Sequence, residues 1–480
     1  MGALALTAAA APGAVLRVAH GVQVSHKRLV VYAPASKHAR RSKRVRPPRI
    51  VSDVRVTAVT TTSVTLEGLA ATHGRPILVH FQYGRRGYHL ITTFGPWRGA
   101  GRVTAQLNGL APGTRYHVRM VATSCAGCPQ GTARGRATSF QTAPLTYQNP
   151  VFGPMPDPTG IDDRRFTATY WSYGTGGLFP IAKSTDLVHW TSAGSAFQSR
   201  PAWVPQQGTW NPWAPSVIGT GRPCPGATSG NCYVMFYAAR GAGAGFQCIG
   251  VATSSSPGGP FADQGTLQTD PPTPDAANRP FGCGDAAGYG YIDPDPFIDS
   301  DGHAYLYLSA GEACDPGGGG CKLAPTISVI PLADDLIHAD GPRTPLFAGN
   351  PGTWEAQGGS TPTVENPWML KHDGVYYLLY SGGSWQAAYG MGYMTAPTPT
   401  GPFTRGPNNP FLRQTAAVLS PGGGSVTVGP HGGDWLVYHA RAASEGYRGV
   451  RTLRIDPLVW GPDGTLAVRG PTVGPQTPVP

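Results

Sequence analysis

The chain has 480 residues, of which 67 are Gly and 49 are Pro, and only 13% are charged. That length leaves room for two or three sizeable cores, and the composition suits many short strands joined by tight turns, which argues against a mainly helical protein. The net charge of +11 is concentrated at one end, because residues 1–49 hold ten Lys or Arg and no acid while the remainder has 27 basic against 26 acidic residues, so a basic nucleic-acid binder is not expected of the folded part.

Taken in chain order, the first fifteen residues, MGALALTAAAAPGAV, read as the apolar stretch and small-residue end of a secretory leader without its usual basic start. Seven cations between Lys37 and Arg49 stand among Ala, Ser and Pro, and residues 1–47 are expected to be a leader and a solvated basic linker. No later stretch reaches the eighteen or so apolar residues of a membrane span. Eight cysteines follow, with close pairs at Cys125/Cys128, Cys224/Cys232 and Cys314/Cys321, leaving Cys248 and Cys283. Four disulfides and a secreted, extracellular protein are the expectation.

Residues 48–145 show alternating runs, VRVTAVTTTSVTLEGL, PILVHFQYG, TRYHVRMVATS and ATSFQT, which suit a β-sandwich. The phrase Leu110-Ala-Pro-Gly-Thr-Arg-Tyr116 places a turn before a Tyr that opens a strand, the pattern of a tyrosine corner. With its neighbouring strands this segment resembles a fibronectin type III domain.

Residues 148–475 change to a long repeat. FTATYWS, YVMFYAA, AYLYLSA, YYLLYSG and WLVYHAR share a central Tyr at 170, 237, 307, 380 and 438. The spacing suits a four-stranded propeller blade with its loops, and predicts an all-β protein with a five-bladed β-propeller. Gly250-Val-Ala-Thr and Gly392-Tyr-Met-Thr echo one another within two of these repeats.

Acids precede three of the repeated tyrosines at similar distances: Asp157 before Tyr170, Asp293 before Tyr307 and Glu365 before Tyr380. Equivalent positions on successive blades surround one axis, so the three carboxyl groups are expected to meet at one mouth. Such a cluster suits glycoside hydrolysis, in which one carboxyl protonates the leaving oxygen and another activates water or attacks carbon. Calcium binding is the rival use, left open by Asp293, Asp295, Asp299 and Asp301 although they do not form a dense calcium loop. A propeller that grips carbohydrate without cutting it is the reading from another class.

From Asn149 to Pro471 the chain resembles glycoside hydrolase family 43. The motifs that carry the resemblance are Asp157-Pro158, Trp213-Ala-Pro215, Asp293-Pro through Asp301-Gly302, and Glu365-Asn-Pro367. The resemblance implies an inverting hydrolase with Asp157 as general base, Glu365 as general acid and Asp293 holding the acid's pKa and orientation. It also implies substrate contacts from Trp213 and from Arg451, with Arg448 and Arg454 close by in sequence. Three departures stand out: Glu-Gly-Pro reads Glu-Asn-Pro; Gly-Pro-Gly-His reads Ser420-Pro-Gly-Gly-Gly424, a lost His that His439 of Tyr-His-Ala is not expected to replace; and the Glu often seen after Trp-Ala-Pro is Ser216. The implied activity is an α-L-arabinofuranosidase or arabinanase, or else a β-xylosidase, on arabinan or arabinoxylan of plant cell walls. No cofactor, metal, nucleic acid or membrane is expected to be required, and a monomer is expected.

Overall fold

The computed structural model describes residues 48–477, apart from 51, 73–76, 93–95, 98–99, 124–130, 145, 225, 243–245, 274–280, 285–289, 315–320, 360 and 431. The expectations for residues 1–47 and for a Cys125/Cys128 bridge fall outside these residues. The chain divides into two compact units between Leu145 and Thr146. Both are built of strands, with two short 3-10 turns in the second among the described residues.

The first unit contains a four-stranded sheet that includes Val64–Ala71 and Ala100–Leu107, and a six-stranded sheet centred on Ile77–Gly84 and Arg115–Thr123. Successive side chains on a strand point to opposite faces. Val64, Leu66 and Ala70 of one sheet therefore join Val79, Phe81, Val118 and Met120 of the other in a single apolar cluster. Tyr116 is buried, and its hydroxyl accepts the Ala111 backbone N–H at 2.9 Å. That bond locks the turn before the strand, as a tyrosine corner does.

The second unit contains five antiparallel-based sheets in succession, opening on Thr159–Asp162, Trp213–Gly219, Gly290–Ile298, Val364–His372 and Val418–Val428. These opening strands are neighbours in order, and the fifth returns to the first. The repeated tyrosines lie on the second strand of each sheet and are at most 1% exposed. A buried phenol requires a partner, and each has one: Tyr170 and Tyr307 donate to the Val428 and Pro399 carbonyls, Tyr237, Tyr380 and Tyr438 to Asp263, Glu355 and Asp456. The glycine echo has a packing cause. A Cβ on Gly250 would fall 2.3 Å from Tyr237 and 2.6 Å from Trp203, and one on Gly392 would fall 2.7 Å from Trp354 and 3.0 Å from Tyr380. In both sheets a loop Trp lies against the repeated Tyr where only Gly leaves room.

The ends of the second unit are joined. Phe152–Pro154 pairs with Thr452–Trp460, and Tyr147 bridges to Gln476. Buried Asp456 accepts hydrogen bonds from Tyr147, Tyr438 and Thr472, so the first and last segments share one polar network. Buried Arg454 donates to the Thr472 carbonyl in the same region. Disulfides join Cys224 to Cys232 and Cys248 to Cys283. The backbone register sets Cys314 opposite Cys321.

Candidate active site

One backbone feature recurs on four of the opening strands and just before the first. Asp157, Ala214, Asp293, Asn366 and Ser420 each precede a proline, and their φ angles are 48°, 41°, 54°, 48° and 46°. A non-glycine residue before proline ordinarily stays extended, so each left-handed residue here costs on the order of 1–3 kcal/mol that the surrounding sheet offsets. Strand register shifts between Trp213 and Ser216, Ile292 and Asp295, Glu365 and Trp368, and Leu419 and Gly422. Such bulges re-aim side chains at the end of a strand. A pocket is lined by 157–159, 214–216, 293–295, 366–368 and 423–425, one stretch from each sheet.

This pattern corrects one sequence expectation. Asp157 and Asp293 are equivalent, but their counterpart is Asn366 rather than Glu365, which lies one residue earlier. Asn366 stands 14 residues before Tyr380, as Asp293 stands 14 before Tyr307, so the residue before proline is the true anchor. Asn tolerates left-handed backbone better than most residues, which accounts for Asn in the Glu-Asn-Pro variant.

Asp157 has 13% of its side chain exposed and is met by donors. Arg451 Nη1 lies 2.9 Å from Oδ1, and Thr175 donates its hydroxyl to Oδ2 at 2.7 Å. The Asp157 backbone N–H donates to His439 Nδ1 at 3.0 Å. Burial alone would raise the Asp157 pKa, but the Arg451 charge first, with the Thr175 hydrogen bond, outweighs it and holds the carboxyl below its usual range. His439 is pushed down to about 3, chiefly by burial and then by Arg451. Its ring is therefore neutral, and because Nδ1 accepts, the proton sits on Nε2.

Glu365 is in the opposite environment. It is 9% exposed, and Tyr389 Oη donates to its Oε1 at 2.5 Å. Burial first, and then the Asp157 charge, raise its pKa to about 7 despite Tyr389 and Arg451, which pull it down. Asp293, 8% exposed, accepts the Asn366 backbone N–H at 3.0 Å. Through that peptide it fixes the backbone next to Glu365. The Tyr389 hydroxyl is pushed well above its ordinary pKa, first by burial and then by Glu365, Asp293 and Asp157. Tyr389 bonds to Glu365, and adjacent glycines of the fifth opening strand adjoin Tyr389 and Asp157 in turn.

Glycines make this packing feasible. A Cβ on Gly422 would sit 2.2 Å from the Tyr389 ring, and one on Gly423 would sit 2.7 Å from His439 and 3.0 Å from Asp157 Oδ1. The Ser-Pro-Gly-Gly-Gly variant therefore matches a site in which Tyr389 and His439, stacked at 6.1 Å, press against the fifth strand. Sequence reading missed Tyr389, Thr175 and Arg441. For Arg441 the signal was a cation in an otherwise buried strand, Asp434–Ala442; for the other two there was none.

Of the three candidate arginines, only Arg451 bonds to Asp157; Arg448 is exposed and Arg454 is buried with Asp456. The Arg451 guanidinium lies 5.3 Å from the Trp385 ring centre, and Arg441 lies 5.4 Å from it while donating to the Trp385 carbonyl. Trp385 is 39% exposed, an indole contacted by two cations, one of which bonds to Asp157. Trp213 instead is partly buried against the apolar cluster containing Tyr291 and Ile292. Among the described residues no group of three His, Cys, Asp or Glu converges to hold a metal ion. Asp295, which lines the same pocket, is driven towards its neutral form by burial.

The sequence profile described as glycosyl hydrolases family 43 matches residues 147–466. The chain belongs to glycosyl hydrolase family 43. Its relatives in this family include the beta-D-galactofuranosidase xynD of Aspergillus niger, 31% identical over 332 residues that cover 66% of this chain and 83% of that one. The arabinoxylan arabinofuranohydrolase of Paenibacillus polymyxa is 28% identical, over 61% of this chain and 44% of its own length. A solved thermostable family-43 glycoside hydrolase superposes with a TM-score of 0.55 at 30% identity, covering 69% of this chain and 98% of that structure. As a family 43 member the protein is a glycoside hydrolase, and its relatives act on polymers or glycosides of arabinose, xylose and galactofuranose.

Proposed function

We propose that the second unit is a five-bladed propeller that hydrolyses arabinose-containing plant polysaccharide with inversion, as an α-L-arabinofuranosidase or arabinanase. The first unit is proposed to be a fibronectin type III-like sandwich, and the protein to be secreted. The observation that carries the mechanism is the pair of opposite environments at one mouth, Asp157 held ionised by Arg451 and Glu365 held protonated by burial.

In this mechanism Asp157 takes a proton from water, and the water oxygen forms a bond to the anomeric carbon. Glu365 gives its proton to the leaving oxygen as the glycosidic bond breaks. Tyr389 occupies Oε1 of Glu365, which leaves Oε2 to carry the transferred proton. Attack from the face opposite the leaving group inverts the anomeric configuration. The two carboxyl groups need a separation of about 6.5–9.5 Å to admit the water. Asp293 orients the acid through the Asn366 peptide. Trp385 and Arg451 offer an apolar face and a cation to the sugar. No cofactor enters any step.

A second reading, β-D-galactofuranosidase, is favoured by the 31% relative; it shares the five-membered ring of arabinofuranose. β-Xylosidase is the pyranose alternative. A proton NMR time course with linear and branched arabinan, arabinoxylan, a galactofuranoside and xylobiose tests these readings. Release of arabinose, appearing first as the opposite anomer, is expected. Release only of galactofuranose or xylose would replace the substrate; first appearance of the same anomer would overturn inversion.

A further inference from the structure

The near-neutral sum of residues 50–480 conceals two opposite halves. Residues 50–145 contain ten Arg, no Lys and two acids, Asp53 and Glu67; residues 146–480 contain 17 basic and 24 acidic residues. Between Glu67 and Asp157 the chain has no Asp or Glu at all. Glu67 lies on the four-stranded sheet and is paired with Arg102 of the same sheet.

The six-stranded sheet therefore presents cations with no acid among them. Its strand Arg115–Thr123 alternates exposed and buried positions, so Arg115 and Arg119 share the outer face. Arg119 is held flat, donating to Gln82 at 2.9 Å and lying 4.1 Å from the Tyr88 ring centre. Exposed Arg85 and Arg86 stand at the end of the neighbouring strand Ile77–Gly84. A scatter of solubilising charges would mix signs; one sign on one sheet face is a field.

We propose that this face docks an acidic polysaccharide, a polymer of uronic acids. Guanidinium forks match carboxylates in two-point contact, and the Arg119–Tyr88 plane beside the Gln82 amide offers stacking and hydrogen bonding to a sugar ring. A flat sheet face presents no helix or ribbon to a nucleic-acid groove. The acidic second unit is itself repelled by a polyanion, so a basic module offsets that repulsion and raises the local concentration of neutral branches carried on an acidic backbone. The choice of a plant-wall polymer rests on the proposed function, but binding and sugar release are read separately.

The test measures binding of the full chain to polygalacturonate by affinity electrophoresis and calorimetry, with linear arabinan and duplex DNA as comparators. Polygalacturonate should bind and weaken as salt rises. The R115Q/R119Q variant and, independently, R85Q/R86Q should each weaken it about tenfold, with melting temperature and turnover of a small neutral glycoside unchanged. Binding unaltered in both variants would assign the attraction to residues 1–49 and overturn the proposal. Tighter variant-sensitive binding to DNA than to polygalacturonate would overturn it in favour of a nucleic-acid surface. Inactivity on every glycan with binding intact would remove the proposed function and leave the docking face standing.

Discussion

Asp157 and Glu365 share one mouth but not one environment. Around Asp157 the chain places Arg451, a threonine hydroxyl and a neutral histidine that accepts its backbone N–H. Around Glu365 it places burial and a single phenol. The two acids differ by only a methylene, so the roles proposed for them rest on what surrounds them. A base must be ionised to accept a proton, and an acid must be protonated to give one. On the proposed assignment, a cation serves the first need at Asp157, and burial serves the second at Glu365.

The largest effect should come from removing one side of that comparison altogether. Glu365→Gln keeps the shape and hydrogen-bonding reach but carries no transferable proton, so kcat on a natural glycoside should fall by about 10²–10⁴. An aryl glycoside, whose leaving group needs little protonation, should lose much less. Equal losses on both substrates would remove Glu365 from the role of acid.

Next comes the cation. In the wild-type protein, activity should fall as pH drops through the depressed Asp157 pKa, because the base becomes protonated, and should fall again as pH rises through about 7, because Glu365 loses its proton. Arg451 lowers both groups. Arg451→Met should therefore move both limbs of the kcat/KM profile to higher pH and reduce kcat/KM at pH 5 by roughly ten- to a hundredfold. A profile unchanged in position but lower in height would mean that Arg451 binds sugar and does not tune the base.

A third test acts on the wall between the two sides. Gly423 has a φ of 55°, and a Cβ there would meet His439 and Asp157. Gly423→Ala should destabilise the protein by about 1–3 kcal/mol, read as a fall of a few degrees in Tm. An unchanged Tm would show that His439 can move away without cost.

Much of this architecture was legible because it rests on local chemistry repeated in sequence. The five tyrosines were visible as a period, and each proved to be a buried phenol with a partner. Asp157 and Asp293 were visible because each is followed by proline and precedes a repeated Tyr. Glu365 was found, but its frame was misread by one residue, since spacings of 13, 14 and 15 to the repeated Tyr look like one register until the backbone shows that the left-handed residue before proline is the anchor. Tyr389 and Thr175 were not legible at all: they reach the acids from loops, and nothing in their neighbours distinguishes them from packing residues. The charge division between the units was written in the sequence but cancelled when summed over the folded part, so only the sheet face drew attention to it.

The smallest expected effect is the most selective. Tyr389 donates to Glu365 and so favours its ionised form, acting against the burial that raises it. Tyr389→Phe keeps the ring against Gly422 and His439 and removes only the hydroxyl. With that hydrogen bond lost, Glu365 should hold its proton to higher pH, and the basic limb should move up from about 7 by about one unit. The acid limb should stay, because what holds Asp157 down is Arg451, Thr175 and Arg441. A packing role alone would lower the height of the profile and move neither limb. Movement of the basic limb alone would show that the two sides of the mouth are tuned separately, one by a cation and the other by a phenol.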